Sequence, residues 1–256
     1  MEVLKSFQLT GKVGLVTGSA RGIGQAIAIG LAEAGADVLL IDQTGSSETA
    51  EQIERLGRRW VAEKRDLAGL NREKAEEVIS LGVAHFGGID ILVNNAGIIR
   101  RASALEFSSE DWKEVLDINL NTVFYLSQAA AKHYTQANKV GKIINVASML
   151  SFQGGLMVSS YATSKSGIMG LTKALANEWA SLGINVNAIA PGYLKTEVTA
   201  GIRSDPKRNQ AVLDRIPAGR WGKPDDVKGA VVFLASSAAE YLHGTIVPVD
   251  GGWLAR

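Results

Sequence analysis

The sequence predicts an α/β fold, a Rossmann-like arrangement in which one doubly wound parallel sheet of about seven strands carries helices on both faces, residues 1–256 forming a single domain. Two observations predict it. Short apolar runs rich in β-branched residues recur along the chain, and between them lie longer segments whose apolar residues repeat at helical spacing. Runs that are apolar at successive positions fit strands covered on both faces, and strands alternating with helices join through right-handed crossovers into a parallel sheet. No repeat, low-complexity tract or linker divides the chain into two domains.

Each element has its own justification. VGLVT near Val13 is the first strand, and GQAIAIGLAEAG is the first helix, with Ile23, Ile27 and Leu31 on one face and Gly35 as its stop. DVLLID closes at Asp42. RRWVAEKRD, Arg58 to Asp66, is the weakest strand candidate, because Glu63, Lys64 and Arg65 suit a sheet edge better than its centre. IDILVNNAG, KIINVAS, INVNAIAPG and TIVPVDGG supply four further strands. The stretch from about Pro191 to Pro224 reads as irregular, and its length suggests a loop with a task, such as a lid over a substrate.

Composition narrows the function classes. The chain is 46% hydrophobic and long enough to bury a large core. It contains no cysteine, which excludes disulfides, thiolate metal sites and a cysteine nucleophile and fits a reducing, cytoplasmic setting. A net charge of +1, with both signs interspersed, gives no basic stripe for nucleic acid. No apolar run approaches the ~20 residues of a membrane span, and the N-terminus lacks a secretory pattern. The three histidines, at 85, 133 and 243, show no metal-ligand spacing, so no metal is expected.

The first strand runs through TGSARGIG, Thr17 to Gly24, directly into a helix. Glycines at 18, 22 and 24 permit a sharp turn and close approach of a ligand, while the helix start offers free N–H groups to a pyrophosphate. The second strand ends in Asp42, about the ~20 residues onward at which a dinucleotide site places a ribose-binding carboxylate. Asp42 favours NAD over NADP by repelling a 2′-phosphate, whereas Arg21 could pair with that phosphate. Asp66 could reach an adenine amino group or simply cap a helix, and Asn94 to Gly97 could wall the ribose or simply make a turn.

In YATSK, Tyr161 and Lys165 stand one helical turn apart and share a face. Ser148 ends the preceding strand, so the three side chains can converge. A tyrosine titrating near ~10 is a poor base at neutral pH; Lys165 and a bound positive nicotinamide would both favour the phenolate and lower that value. Asn119, inside an apolar helical segment, could kink the helix and hold a water linking Lys165 to solvent, although a satisfied core amide is the plainer reading.

Together TGSARGIG, NNAG, Asn119, Ser148, YATSK and the Pro191–Gly192 pair resemble the short-chain dehydrogenase/reductase family over nearly the whole chain. The resemblance implies a catalytic set of Asn119, Ser148, Tyr161 and Lys165. It also implies a cofactor bed of Gly18, Ser19, Arg21, Gly22, Ile23, Gly24, Asp42, Asp66, Leu67, Asn94, Asn95, Ala96, Gly97, Tyr161, Lys165, Pro191, Gly192 and Thr196. A narrower likeness in NNAGIIRR, KIINVASMLSFQGG, RIPAGRWG and VDGGWLAR points to enzymes of deoxy sugar acids. Arg100, Arg101, Gln153 and Arg215, with Ser148, are then candidates to read the acid. Gluconate 5-keto reduction or ketoacyl reduction on a carrier protein is the alternative activity. The resemblance further implies a homotetramer, with the helix after Tyr161 and the terminal GGWLAR at interfaces.

Overall fold

The computed structural model describes residues 2–256. Its seven strands are β1 Val13–Thr17, β2 Asp37–Asp42, β3 Trp60–Lys64, β4 Ile91–Asn94, β5 Gly141–Val146, β6 Ile184–Pro191 and β7 Ile246–Val249. All pair in parallel, in the order β3-β2-β1-β4-β5-β6-β7. The expected edge strand lies at the edge, where its side chains alternate between exposed and half-buried. The order reverses between β1 and β4, and a parallel sheet opens a crevice at such a point, beyond the carboxyl ends of its strands.

The strand alternation sorts the core into two layers. Val16, Val38, Leu40, Ile91 and Val93 face Ile27 and Leu31 of α1 (Gly22–Glu33) and Val231 and Leu234 of α9 (Lys228–Ala235). Leu15, Leu39, Ile41, Leu92 and Ile143 face the other way, against α3 (Arg72–Phe86), α5 (Thr122–Gln136) and α6 (Ser159–Trp179). Each such fully buried Leu, Ile or Val contributes roughly 1.5–3 kcal/mol relative to exposure. This two-sided packing fixes the strand ends from which the site is built. The helices α2 (Ser47–Arg55) and α4 (Ser109–Leu116) complete the layers.

One expectation needs correction here. The segment after Pro191 is not irregular: Thr196 opens a 3-10 turn that leads into α7 (Ala200–Arg203), and Asp205 caps α8 (Pro206–Leu213) through the N–H groups of Lys207 and Arg208. The terminal Trp253 is buried inside this chain, edge-on to Tyr193 at 4.9 Å, while Gly251, Ala255 and Arg256 around it are exposed. No helix among the described residues is long and apolar enough to cross a membrane.

Candidate active site

A cleft of about 960 Å³ lies along the carboxyl ends of β1, β2, β4, β5 and β6. Its floor at one end is the turn from β1 into α1. Gly18 has φ +64°, and a β-carbon there would come within 2.9 Å of the Asn95 amide nitrogen. A β-carbon on Gly24 would land on the Gly18 carbonyl. Asn95 clamps the turn by donating to the carbonyls of Thr17 and Gly18 at 2.9 and 3.0 Å. No side chain caps α1, so its first-turn N–H groups stay available beside Gly22 and Ile23. A tight glycine cradle ending on uncapped N–H groups fits a pyrophosphate.

Asp42 lines the cleft, where its Oδ1 accepts from the N–H and hydroxyl of Thr44 at 2.8 and 2.7 Å and its Oδ2 from the Ala20 N–H at 3.1 Å. Arg21 pairs across the cleft with Glu197, both side chains being well exposed. Asp66 accepts from the Ala68 N–H at 2.9 Å, and it lines the cleft with Leu67, Ala96, Gly97, Pro191, Gly192 and Thr196. Two expected contacts turn inward instead. Ser19 is fully buried against the Ile41 carbonyl and the Ser46 hydroxyl. Asn94 donates to Ser127 at 3.1 Å and Asn145 at 2.9 Å beneath the sheet end. Both brace the bed rather than line it.

Ser148, Tyr161 and Lys165 converge on the same cleft. The Lys165 ammonium donates to the Val146 carbonyl at 2.6 Å and lies 5.8 Å from the Tyr161 ring centre. Burial pulls the Lys165 pKa down to about 8. The expected acidification of Tyr161 is reversed in the protein alone. Burial pushes the phenol above its ordinary value, while the facing Ser148 hydroxyl and the Arg101 charge act in the opposite direction.

Asn119 sits in a π-helical turn, Asp117–Asn121, whose closing bond runs from the Thr122 N–H to the Asp117 carbonyl. Its amide accepts from the Ile98 N–H at 2.8 Å and donates to the Ile98 carbonyl at 2.9 Å and the Ser164 hydroxyl at 3.1 Å. The kink is present. Both amide donors are spent, however, so the side chain offers no N–H to a relay water and acts as a brace between β4 and α6. A β-carbon on Gly97 would stand 3.1 Å from the Asn119 oxygen and 3.7 Å from the Lys165 nitrogen, so these groups crowd one point.

The four charge-reading candidates separate clearly. Arg100 is held by Glu114 at 2.8 Å and Asp111 at 3.4 Å. Arg215 lies over the Trp253 ring at 4.0 Å. Gln153 is half-buried, and neither it nor any of the three arginines lines the cleft. Arg101 alone of the four acts on Tyr161, and its one polar contact among the described residues is a long 3.4 Å bond to the Val198 carbonyl. Sequence reasoning missed Arg203, which lines the cleft and donates to the Thr196 carbonyl at 3.0 Å. It also missed Ser151 and Ser164. Ser148-x-x-Ser151 has the spacing of a reciprocal cap, which was the available signal.

Fold and site together define a dinucleotide-dependent oxidoreductase acting on a CH–OH group. The chain belongs to the short-chain dehydrogenase/reductase family: the family described as enoyl-(acyl carrier protein) reductase matches residues 18–254. A 2-dehydro-3-deoxy-D-gluconate 5-dehydrogenase of Escherichia coli is 55% identical over 99% of this chain and 100% of that protein. The enzyme of the same name from Bacillus subtilis is 51% identical over 98% of each. Among solved structures, a provisionally named 2-deoxy-D-gluconate 3-dehydrogenase from Agrobacterium tumefaciens, with bound NADP, superposes with a TM-score of 0.93. It is 52% identical, over 98% of this chain and 99% of that one. A gluconate 5-dehydrogenase from Burkholderia cenocepacia, in complex with NADP and tartrate, gives 0.90 at 37% identity over the whole of both chains.

Proposed function

We propose that this chain is a dehydrogenase of a deoxy sugar acid of the 2-dehydro-3-deoxy-D-gluconate type, exchanging a hydride with a nicotinamide dinucleotide. The names of its relatives support the substrate class. The observation that carries the chemistry is the convergence of Tyr161, Ser148 and Lys165 in a cleft that also contains an uncapped helix start.

The bound dinucleotide supplies or accepts the hydride. The turn at Gly18–Gly24 and the first N–H groups of α1 hold its pyrophosphate, Asp42 its adenosine ribose, Asp66 and Leu67 its adenine, and Gly97, Pro191, Gly192 and Thr196 the nicotinamide end. Tyr161 Oη holds the proton exchanged with the substrate oxygen, and Ser148 orients that oxygen. Lys165, charged below about pH 8, favours the phenolate as the proton leaves. Arg101, near enough for its charge to act on Tyr161 and without an acidic partner among the described residues, is the group to meet the acid's carboxylate.

Cofactor preference is a finer part of the proposal. Asp42 disfavours a 2′-phosphate, and the two arginines nearest it in the cleft are engaged, Arg21 by Glu197 and Arg65 by Glu77. Both features support NAD, whereas relatives hold NADP. A homotetramer is likewise proposed. Ser166 and Gly170 are exposed on α6 and leave room for a second helix, whereas Gly167 is already packed on Leu120. Sedimentation gives the assembly directly.

The test is Tyr161→Phe assayed by nicotinamide absorbance over deoxy and keto sugar acids. Turnover should fall by about 10²–10⁴-fold while dinucleotide binding persists. Near-normal turnover would overturn the mechanism.

A further inference from the structure

The Ser151 hydroxyl is joined to the main chains of two residues of the proposed catalytic set. Ser151 ends the short 3-10 turn Met149–Ser151 that follows β5, and it is only 6% exposed. Its Oγ accepts the N–H of Ser148 at 3.2 Å and donates to the carbonyl of Lys165 at 2.6 Å. The Ser166 hydroxyl adds a weaker bond to the Ser151 carbonyl at 3.3 Å. One oxygen atom therefore links the strand end that carries Ser148 to the helix that carries Tyr161 and Lys165.

Other contacts also join β5 to α6: Asn145 donates to the Thr172 hydroxyl at 3.0 Å, and Ala147 shares a buried cluster with Ile168. The connection from Phe152 to Val158 is largely exposed, with Leu156 at 94% and Met157 at 58%. Beside the reacting groups themselves the other strap is the bond from the Lys165 ammonium to the Val146 carbonyl at 2.6 Å. That strap, however, is made by the head group whose charge the reaction uses. The Ser151 bridge uses no reacting group, so it persists whatever the ammonium contacts during turnover.

We infer that Ser151 is a positioning residue that sets the spacing between Ser148 and the Tyr161–Lys165 pair. The inference rests on the catalytic reading proposed above. Displacement of a reacting group by about 1 Å can cost on the order of 10²-fold in rate, so losing the bridge should be felt in kcat. Dinucleotide affinity should change little, because Ser151 does not line the cleft.

The experiment compares Ser151→Ala, Ser151→Cys, Ser151→Thr and Ser166→Ala in the full chain, measuring kcat, KM for NADH, thermal melting and the pH profile of sugar-acid reduction. Ser151→Ala should lower kcat by at least about tenfold, leave KM for NADH within about twofold and move the alkaline limb of the profile. Ser151→Thr, which retains the hydroxyl, should restore most of kcat, and Ser166→Ala should stay near wild type. Ser151→Cys keeps the volume without a strong hydrogen bond and should behave like Ser151→Ala even where the alanine folds poorly. A kcat within twofold of wild type in Ser151→Ala or Ser151→Cys would overturn the inference. So would a kcat loss that follows melting temperature alone with an unmoved pH profile. Tyr161→Phe run in parallel separates the two claims: if it is inactive while Ser151→Ala is normal, only the Ser151 role fails. If Tyr161→Phe turns over normally, the catalytic reading itself fails and takes the Ser151 role with it.

Discussion

The two walls of the cleft are built on opposite principles. On the side of β4, β5 and α6, Asn119, Ser148, Ser151, Ser164 and Lys165 are all buried, and each hydrogen bonds to another element or to a neighbour in the network. On the other side, the segment from Gly192 to Leu213 is anchored at its base, where Leu194 and Val212 are buried, Tyr193 packs edge-on to Trp221 and Trp253, and Lys195 donates its N–H to the Gly222 carbonyl at 2.9 Å. The charged side chains around it are held more lightly, by an exposed ion pair to Arg21, a 3.4 Å contact from Arg101 and a bond within the segment from Arg203. Exposed pairs of that kind contribute roughly 0–1 kcal/mol each. Proton chemistry thus stands on a buried polar network, whereas the facing wall meets the cleft with exposed charges.

Breaking the buried wall should have the largest effect. Lys165→Met should remove about 10²–10⁴-fold of turnover. Burial holds the folded-state pKa near 8 against an ordinary value above 10, so the unfolded chain binds more protons between those values, and the native state gains stability as pH rises through that window. Lys165→Met should abolish that gain. Denaturant unfolding at both ends of the window checks it, and a variant whose stability rises as steeply as wild type, or that stays active, would remove the contrast.

Arg101→Ala should weaken kcat/KM for the sugar acid by about 10–100-fold while sparing a neutral analogue, since hydrogen bonds to charged groups are worth roughly 1.5–3 kcal/mol. Arg100→Ala, whose guanidinium is already engaged, should change it by less than about threefold. Equal effects of the two substitutions would reject Arg101 as the carboxylate reader. In pH, the reductive kcat/KM should be level from 6 to about 8 and fall above it as Lys165 loses its proton. A profile level to pH 10 would reject the need for the ammonium. Smallest is the exposed ion pair of the facing wall: Glu197→Gln should free Arg21 and raise the NADP/NAD ratio of kcat/KM by only about two- to fivefold, whereas Asp42→Ala should exceed it.

Much of this was legible in order along the chain. The six apolar runs, the glycine turn and the Tyr161–Lys165 spacing are local patterns, because period and spacing are properties of a single element. The two walls were less so. Whether Arg100 or Arg101 is free depends on Asp111 and Glu114 one element away, and the raised phenol pKa depends on burial that several elements create together. Asn94 and Ser19 sit in motif positions yet turn inward, since a strand end has two faces and a motif does not say which one a side chain takes.

The π-helical turn at Asp117–Asn121 has a consequence for tolerance to deletion. A helix that closes one ring too wide carries one surplus residue, and removing a residue there would let the coil regularise. Each residue advances a helix by about 100°, so the shortened coil would swing the Asn119 amide away from Ile98 and Ser164 and strand their buried polar groups. Here a deletion that makes the backbone more regular would leave the site less well tied.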